Sequence, residues 1–319
     1  MGVSDIRDLD RDGARRLETV SWLLIAVTAA VTAAWFALTD MAFAVSSAVP
    51  PLAGAAVALA CGIFYRTLRP DERLSSTTVG LAQLIAFPVF GLPLSYLVAS
   101  LGRPTVDPMF HAWDLALGLD WRAYLGFVNE RPLLGKVLKE AYDSLLVQMI
   151  VVMAALGLTG RAYQLQRFLV AYFLASLVTI AISGVLPAYA MFVHLGLTPA
   201  DYANLRPSAA EVHVPDFNAL RSGAMTVISL KHAEGIITFP SLHATLGLLF
   251  MVALWSVPWL RWPGVAVNLL LIAATPIDGG HYFVDVAAGL VIGVAALGAA
   301  DALAALRRTP RAVAVAETS

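Results

Sequence analysis

Two short stretches in the last third of the chain carry the residues best suited to chemistry. They are Phe239-Pro240-Ser241-Leu242-His243-Ala244 and Gly279-Gly280-His281-Tyr282-Phe283-Val284-Asp285. Each puts a histidine at the mouth of a long apolar run, and the second adds an aspartate four residues on. Ionisable groups at such places are costly and are functional candidates by default. If the second stretch is helical, His281 and Asp285 stand i, i+4 on one face, within hydrogen-bond reach. A carboxylate there fixes the imidazole tautomer and stabilises the imidazolium formed when the other nitrogen attacks an electrophile. A pair that only stabilises the helix mouth would carry the same signature.

The first stretch adds to this. Pro240 suits the first turn of a helix, where its missing N–H costs nothing. Ser241 and the free amides of that turn offer an anion site at the positive end of the helix dipole. His243 beside that site is placed to protonate a leaving oxygen. Gly279 and Gly280 let backbone N–H groups approach the same anion. A nucleophilic histidine, an acidic histidine, an aspartate and an amide-lined pocket make a phosphoryl-transfer constellation that needs no metal. Zinc held by the two histidines and the aspartate is the alternative, less suited because Asp285 is already spaced to orient the imidazole. No metal and no cofactor are expected.

These residues must be positioned by membrane helices. Hydrophobic residues make up 59% of the 319 and charged ones only 13%, against roughly 45–50% and about 25% in soluble domains. The apolar residues cluster in blocks, which predicts an all-α, polytopic membrane helical bundle. Runs of about 17–25 residues suffice to cross a bilayer, and eight spans are expected, near 20–38, 42–65, 79–100, 137–159, 168–188, 241–260, 265–275 and 282–306. The seventh is short and extends towards Ile277, and Lys139 and Glu140 blur the start of the fourth. Segment 107–128 is too polar to cross, and Trp113 and Trp121 suit it to the interface. The domain reading is a cytoplasmic tail at 1–19, one integral-membrane catalytic domain at 20–306 with its core at about 79–306, and a second tail at 307–319.

Of the 21 Lys and Arg, 13 fall on the side of the termini, mostly in short loops or tails, so the positive-inside rule makes the termini cytoplasmic. His243 and His281, 38 residues apart, then both open to the extracytoplasmic side. A net charge of −1 gives no nucleic-acid footprint. The lone Cys61 excludes an intrachain disulfide. No small-residue cleavage signature follows the N-terminal charges, so no removable leader is expected. Asp8, Asp10, Asp12 and Gly13 imitate the opening of a calcium loop, but its twelfth position is Thr19 where a bidentate Glu is needed. His111, His194, His213 and His232 lie in or beside interfacial segments without a matching partner, although His232 is next to Lys231 and can enter the site. Tyr142 and Asp143 are candidates for a polar head-group pocket, with helix capping equally open to Asp143. Gln148 is expected to bond a neighbouring helix.

Pro-Ser-x-His followed two spans later by Gly-His-x-x-x-Asp resembles the type-2 phosphatidic acid phosphatase superfamily of integral membrane enzymes. The wording Phe-Pro-Ser-Leu-His and His-Tyr-Phe-Val-Asp more closely resembles its inositol phosphorylceramide synthase-like branch. The resemblance implies a phosphohistidine formed on His281, with Asp285 as its partner and His243 as general acid. Ser241 and the adjacent backbone, Gly280 included, would bind phosphate oxygens. It implies a lipid phosphate substrate in the bilayer and allows an alcohol acceptor. Two departures stand out. The phosphatases carry Ser-Arg seven and six residues before the nucleophile, where this chain has Ala274 and Thr275; the synthase-like branch also lacks that arginine. Of the upstream Lys-x6-Arg-Pro motif, Arg206-Pro207 remains, but Pro199 stands where Lys belongs. Some cation should still offset charge on the phosphoryl oxygens, and Arg221 and Lys231 are the candidates, with Arg206 behind them. The competing class is a non-catalytic lipid-binding or transport protein of the same fold. Pro88, Pro93 and Pro187 would break helices in such a protein, but acidic residues at mid-depth are scarce.

Overall fold

The structure, a computed structural model, describes residues 3–306 apart from His232, with side chains from residue 11 onward. The expected tail at 307–319 lies outside the described residues. Among those described, thirteen helices follow in order: α1 (Val3–Leu38), α2 (Val49–Thr67), α3 (Glu72–Ala99), α4 (Asp107–Ala116), α5 (Trp121–Asn129), α6 (Pro132–Asp143), α7 (Leu145–Leu158), α8 (Ala162–Val185), α9 (Met191–His194), α10 (Val214–Arg221), α11 (Leu242–Trp255), α12 (Arg261–Asp278) and α13 (Phe283–Ala305). The protein is an all-α, polytopic membrane bundle.

Among the described residues, five helices are long and apolar enough to cross a membrane: α1 from Arg11, α2, α3, α8 and α13. A sixth span results if α6 and α7, which meet at a 50° bend, are taken together. Each expected span meets a helix, but the count of eight exceeds what length and composition support. At 14 residues, α11 rises only about 21 Å, short of a hydrocarbon core of about 30 Å. The second span starts later than expected. Ala42–Phe43 leaves the helical path to pair in parallel with Val227–Ile228, and α2 begins only at Val49. α1 is helical from Val3, so the acidic run near its start sits on helix backbone and not on a calcium-type loop. α3 runs unbroken through Pro88 and Pro93, and Pro187 falls beyond the end of α8.

Local sequence accounts for several of these limits. Asp71 caps α3 by accepting from the amides of Arg73 and Leu74, the side-chain type that helix starts favour. Gln148 of α7 accepts from Asn268 of α12 at 2.7 Å, the cross-helix bond expected of it. α1, α3, α7, α8, α11 and α13 share the largest apolar core. A second core joins α4 and α5 to the chain around α9 and Tyr282. α11 and α13 cross closely at Gly289, where an added Cβ would lie 2.2 Å from the Ser241 carbonyl oxygen. That crossing brings the two histidine segments together.

Candidate active site

His281 precedes α13, whose N-cap is Tyr282. The pair with Asp285 therefore does not arise from two residues on one helix face. Asp285 occupies the third helical position, and its Oδ2 accepts from the Tyr282 amide at 2.9 Å while meeting His281 Nδ1 at 3.2 Å. A capping contact of this type fixes the carboxylate, and the imidazole folds back onto it. Both residues are buried. Asp285 Oδ1 is also buried and has no partner.

A carboxylate cage surrounds the start of α13. Asp114 of α4 accepts from the amides of Phe283 and Val284, each at 2.9 Å. Asp107 accepts from the Tyr282 hydroxyl and the Tyr189 amide, again at 2.9 Å. The first turn of α13 is thus occupied by protein carboxylates, which satisfy donors that a helix start leaves open. Burial raises the Asp114 carboxyl above its usual value, against the pull of its two amide donors. Trp121 is fully buried and donates its indole N–H to the His281 carbonyl at 3.2 Å. It is a strut for the His281 backbone, where the sequence reading put it at the membrane interface.

His243 is the second helical residue of α11, after the N-cap Ser241. Pro240 therefore stands just outside the helix. The His243 ring stacks on Tyr142, with centroids 4.4 Å apart and planes 12° from parallel. Its centroid is 6.5 Å from that of His281. Gly279 makes this proximity feasible, since an added Cβ would come within 2.6 Å of the His281 ring and 2.8 Å of the Tyr142 hydroxyl. His243, His281, Tyr142 and Gly279 line one cavity of about 440 Å³.

Ser241 and Gly280 sit behind that wall. Ser241 is fully buried, and its Oγ accepts from the Ala244 amide. Gly280 takes a positive φ of 68° against Ala210, and its amide donates to the Ile277 carbonyl. The amides of Leu242 and His243, in the first turn of α11, keep the open valence of a helix start; they have no protein acceptor among the described residues, and both residues line the cavity. Neither Arg221 nor Lys231 lines it, nor does Arg206. Arg221 lies over the Phe217 ring and its Nη1 is buried without a partner, while Lys231 is exposed. Ala274 and Thr275 are buried in α12. Among the described residues that line the cavity there is no lysine or arginine.

Three histidines expected to lack partners have them or meet the site. His213 also lines the cavity, and Nε2 meets the Tyr189 carbonyl at 2.7 Å; burial lowers its imidazole. His111 and His194 face each other at 3.1 Å. His232 lies outside the described residues. Asp143 is drawn off by an ion pair with Lys139 at 2.7 Å. At His281, in the connection ahead of α13, burial lowers the imidazole to about 4, with the Thr238 backbone pulling the other way. It is therefore neutral near pH 7.

The sequence profile of the PAP2 superfamily matches residues 108–299, more than half of the chain. The chain belongs to that superfamily. No curated protein and no solved structure matches it. Members of the superfamily are generally phosphatases, and membership points to phosphatase or phosphotransferase chemistry. The matched region begins in α4 and runs into α13, so it contains both histidines, Asp114 and Asp285, with Asp107 just ahead of it. α1, α2 and α3 stand ahead of it.

Proposed function

We propose that this PAP2 protein is a lipid-phosphate phosphatase or phosphotransferase that works through a phosphohistidine on His281. The observation that carries the reading is the shared cavity, into which a carboxylate-held imidazole and a second imidazole open 6.5 Å apart. Asp285 only accepts when ionised, so His281 carries its proton on Nδ1 and keeps the Nε2 lone pair. Nε2 attacks phosphorus, a P–N bond forms, and the P–O bond to the leaving group breaks. His243 donates its proton to that leaving oxygen. It then takes a proton from water, or from an alcohol, as that oxygen attacks the phosphohistidine and frees His281.

Negative charge on the phosphoryl oxygens needs donors aimed at it. The Leu242 and His243 amides are suited to this, with Ser241 setting their direction as the cap. Gly280 shapes the turn that presents His281. Arg221, with its unpartnered Nη1, and Lys231 are the cations proposed to reach the phosphate once substrate is bound. Water as acceptor gives a phosphatase and an alcohol gives a transferase. The absent arginine at 274–275 tilts the reading towards transfer of a phosphorylated head group, as in the inositol phosphorylceramide synthase-like branch. Arginines crowd the bundle end opposite the histidines, which supports cytoplasmic termini and an extracytoplasmic site.

The test is turnover by the purified protein in detergent, with a panel of phospholipids and alcohol acceptors read by mass spectrometry. The wild type should convert at least one donor. His281→Ala should convert none, and survival of turnover in that variant would overturn the reading.

A further inference from the structure

Beyond His243 the cavity continues between α3, α8 and α11, and its wall there is largely apolar, with Phe87, Leu92, Leu145 and Leu246 among its residues. Two aliphatic hydroxyls on α8 break that surface. Thr179 lines the cavity at 1% exposure, and its Oγ1 has no hydrogen-bond partner. Ser176, three residues earlier, lines it at 5% exposure, and the Tyr172 hydroxyl faces its Oγ without closing a bond of normal geometry. Burying an unpaired hydroxyl is costly. A helical threonine escapes that cost by bonding the carbonyl four residues back. Thr28, Thr67, Thr78, Thr245 and Thr275 all do so in this protein. Thr179 does not, so its hydroxyl is left unpaired in a residue that lines the cavity.

The depth of this pair is set by α8. Thr179 stands six residues before the last residue of that helix, roughly 9 Å of rise. Just past the helix end, the Tyr189 carbonyl meets His213 and the Met191 amide donates to Gly280, at the level of the histidines. The hydroxyls therefore lie roughly two to three helical turns below the reacting position, inside the apolar part of the cavity.

We propose that Ser176 and Thr179 form a subsite that donates hydrogen bonds to a carbonyl oxygen in the upper apolar part of a lipid phosphate. The inference rests on the proposed function for the identity of the phosphate-bearing ligand. It selects acyl-linked lipids, by ester or by amide, over lipids whose chain is hydrocarbon from the phosphate onward. A site built to hydrogen-bond one substrate group discriminates strongly against the analogue that lacks it, because its own polar groups are left unpaired.

The experiment compares four probes on the full-length protein in detergent: dioleoyl phosphatidate, its dialkyl ether analogue, ceramide 1-phosphate and a polyprenyl monophosphate. The wild type should show kcat/KM at least ~10-fold higher for the carbonyl-bearing lipids than for the ether and prenyl ones, and the ester and amide arms separate the two carbonyl sources. In Thr179→Val, and further in the Ser176→Ala/Thr179→Val double variant, that ratio should fall towards one. A ratio cancels any general loss of activity from poor folding. Ligand-induced thermal shifts of the His281→Ala protein with the same probes give the preference without turnover. If the wild type converts none of the lipids, the proposed function fails while the binding ratio still decides the subsite. No preference in wild type, or a preference unchanged by the substitutions, overturns the proposal.

Discussion

Where α8 begins and α13 finishes, Arg167 grips Asp301 through two bonds, the second at 2.7 Å, and Tyr163 donates to the same carboxylate. Arg66 holds Glu18 and Arg11 holds Glu72 at the same end of the bundle. Every one of these carboxylates has a cation, and the side chains are partly open to water. At the opposite end, Asp107, Asp114 and Asp285 are buried and are held by backbone amides, a phenol and an imidazole. A cavity of about 620 Å³ lies at the arginine end, against about 440 Å³ at the histidines, but it is lined by paired surface charges such as Arg66 and Glu18. Size therefore does not locate the chemistry. What separates the ends is whether carboxylates are met by cations near water or by fixed dipoles away from it, and only the second arrangement sets a buried carboxylate against an imidazole.

The comparison breaks most sharply at His243. Replacing it with Ala should lower turnover of a natural lipid phosphate by about 100- to 10,000-fold, the usual worth of a positioned general acid. A p-nitrophenyl phosphate leaving group needs no proton, so the loss on that substrate should be much smaller. Equal losses on both would remove His243 from the acid role. The pH–rate profile sharpens the same point. His281 must be neutral to attack, and burial lowers its imidazole to about 4. The acid limb should therefore lie below the ordinary histidine range, and an acid limb within or above that range contradicts the role of His281.

Asp114 comes next. Asp114→Ala removes the acceptor for two amides at the start of α13, which should cost roughly 1–2 kcal/mol of stability and lower kcat more than it raises KM. Thermal unfolding and steady-state rates measure both. The smallest effect belongs to the other end. Asp301→Ala should cost roughly 0–1 kcal/mol, as partly exposed pairs do, and leave kcat unchanged. A large fall in kcat there would mean that the two ends do not divide the work as their charges suggest.

Much of the histidine end was legible in the sequence, though partly for other reasons. The spacing of His281 and Asp285 pointed to contact, which occurs through a cap at the start of α13 and not through a shared helix face. Stacking of Tyr142 on His243 extends a role that its position beside Asp143 only suggested. Asp107, Asp114 and Trp121 were missed because their partners lie about 160 to 175 residues away, beyond any local pattern. One signal was present: two acids seven residues apart in a segment ending in apolar and aromatic residues stand on one face of a helix. That neither Arg221 nor Lys231 lines the cavity was not legible either, since they lie on a segment whose path depends on tertiary pairing with Ala42–Phe43. Helix existence was read well from hydropathy. The count of full spans was not, because α11 and α12 are flanked by turns that composition averages over.

The central claim is that the buried imidazole beside Asp285 carries the phosphoryl group. It is tested most directly by quenching the purified protein in alkaline denaturant during turnover of a 32P-labelled lipid phosphate and locating the label by peptide mapping. The account predicts acid-labile, base-stable phosphate on His281 in the wild type and none in His281→Ala. Label on another residue, or none at all during steady turnover, would contradict it.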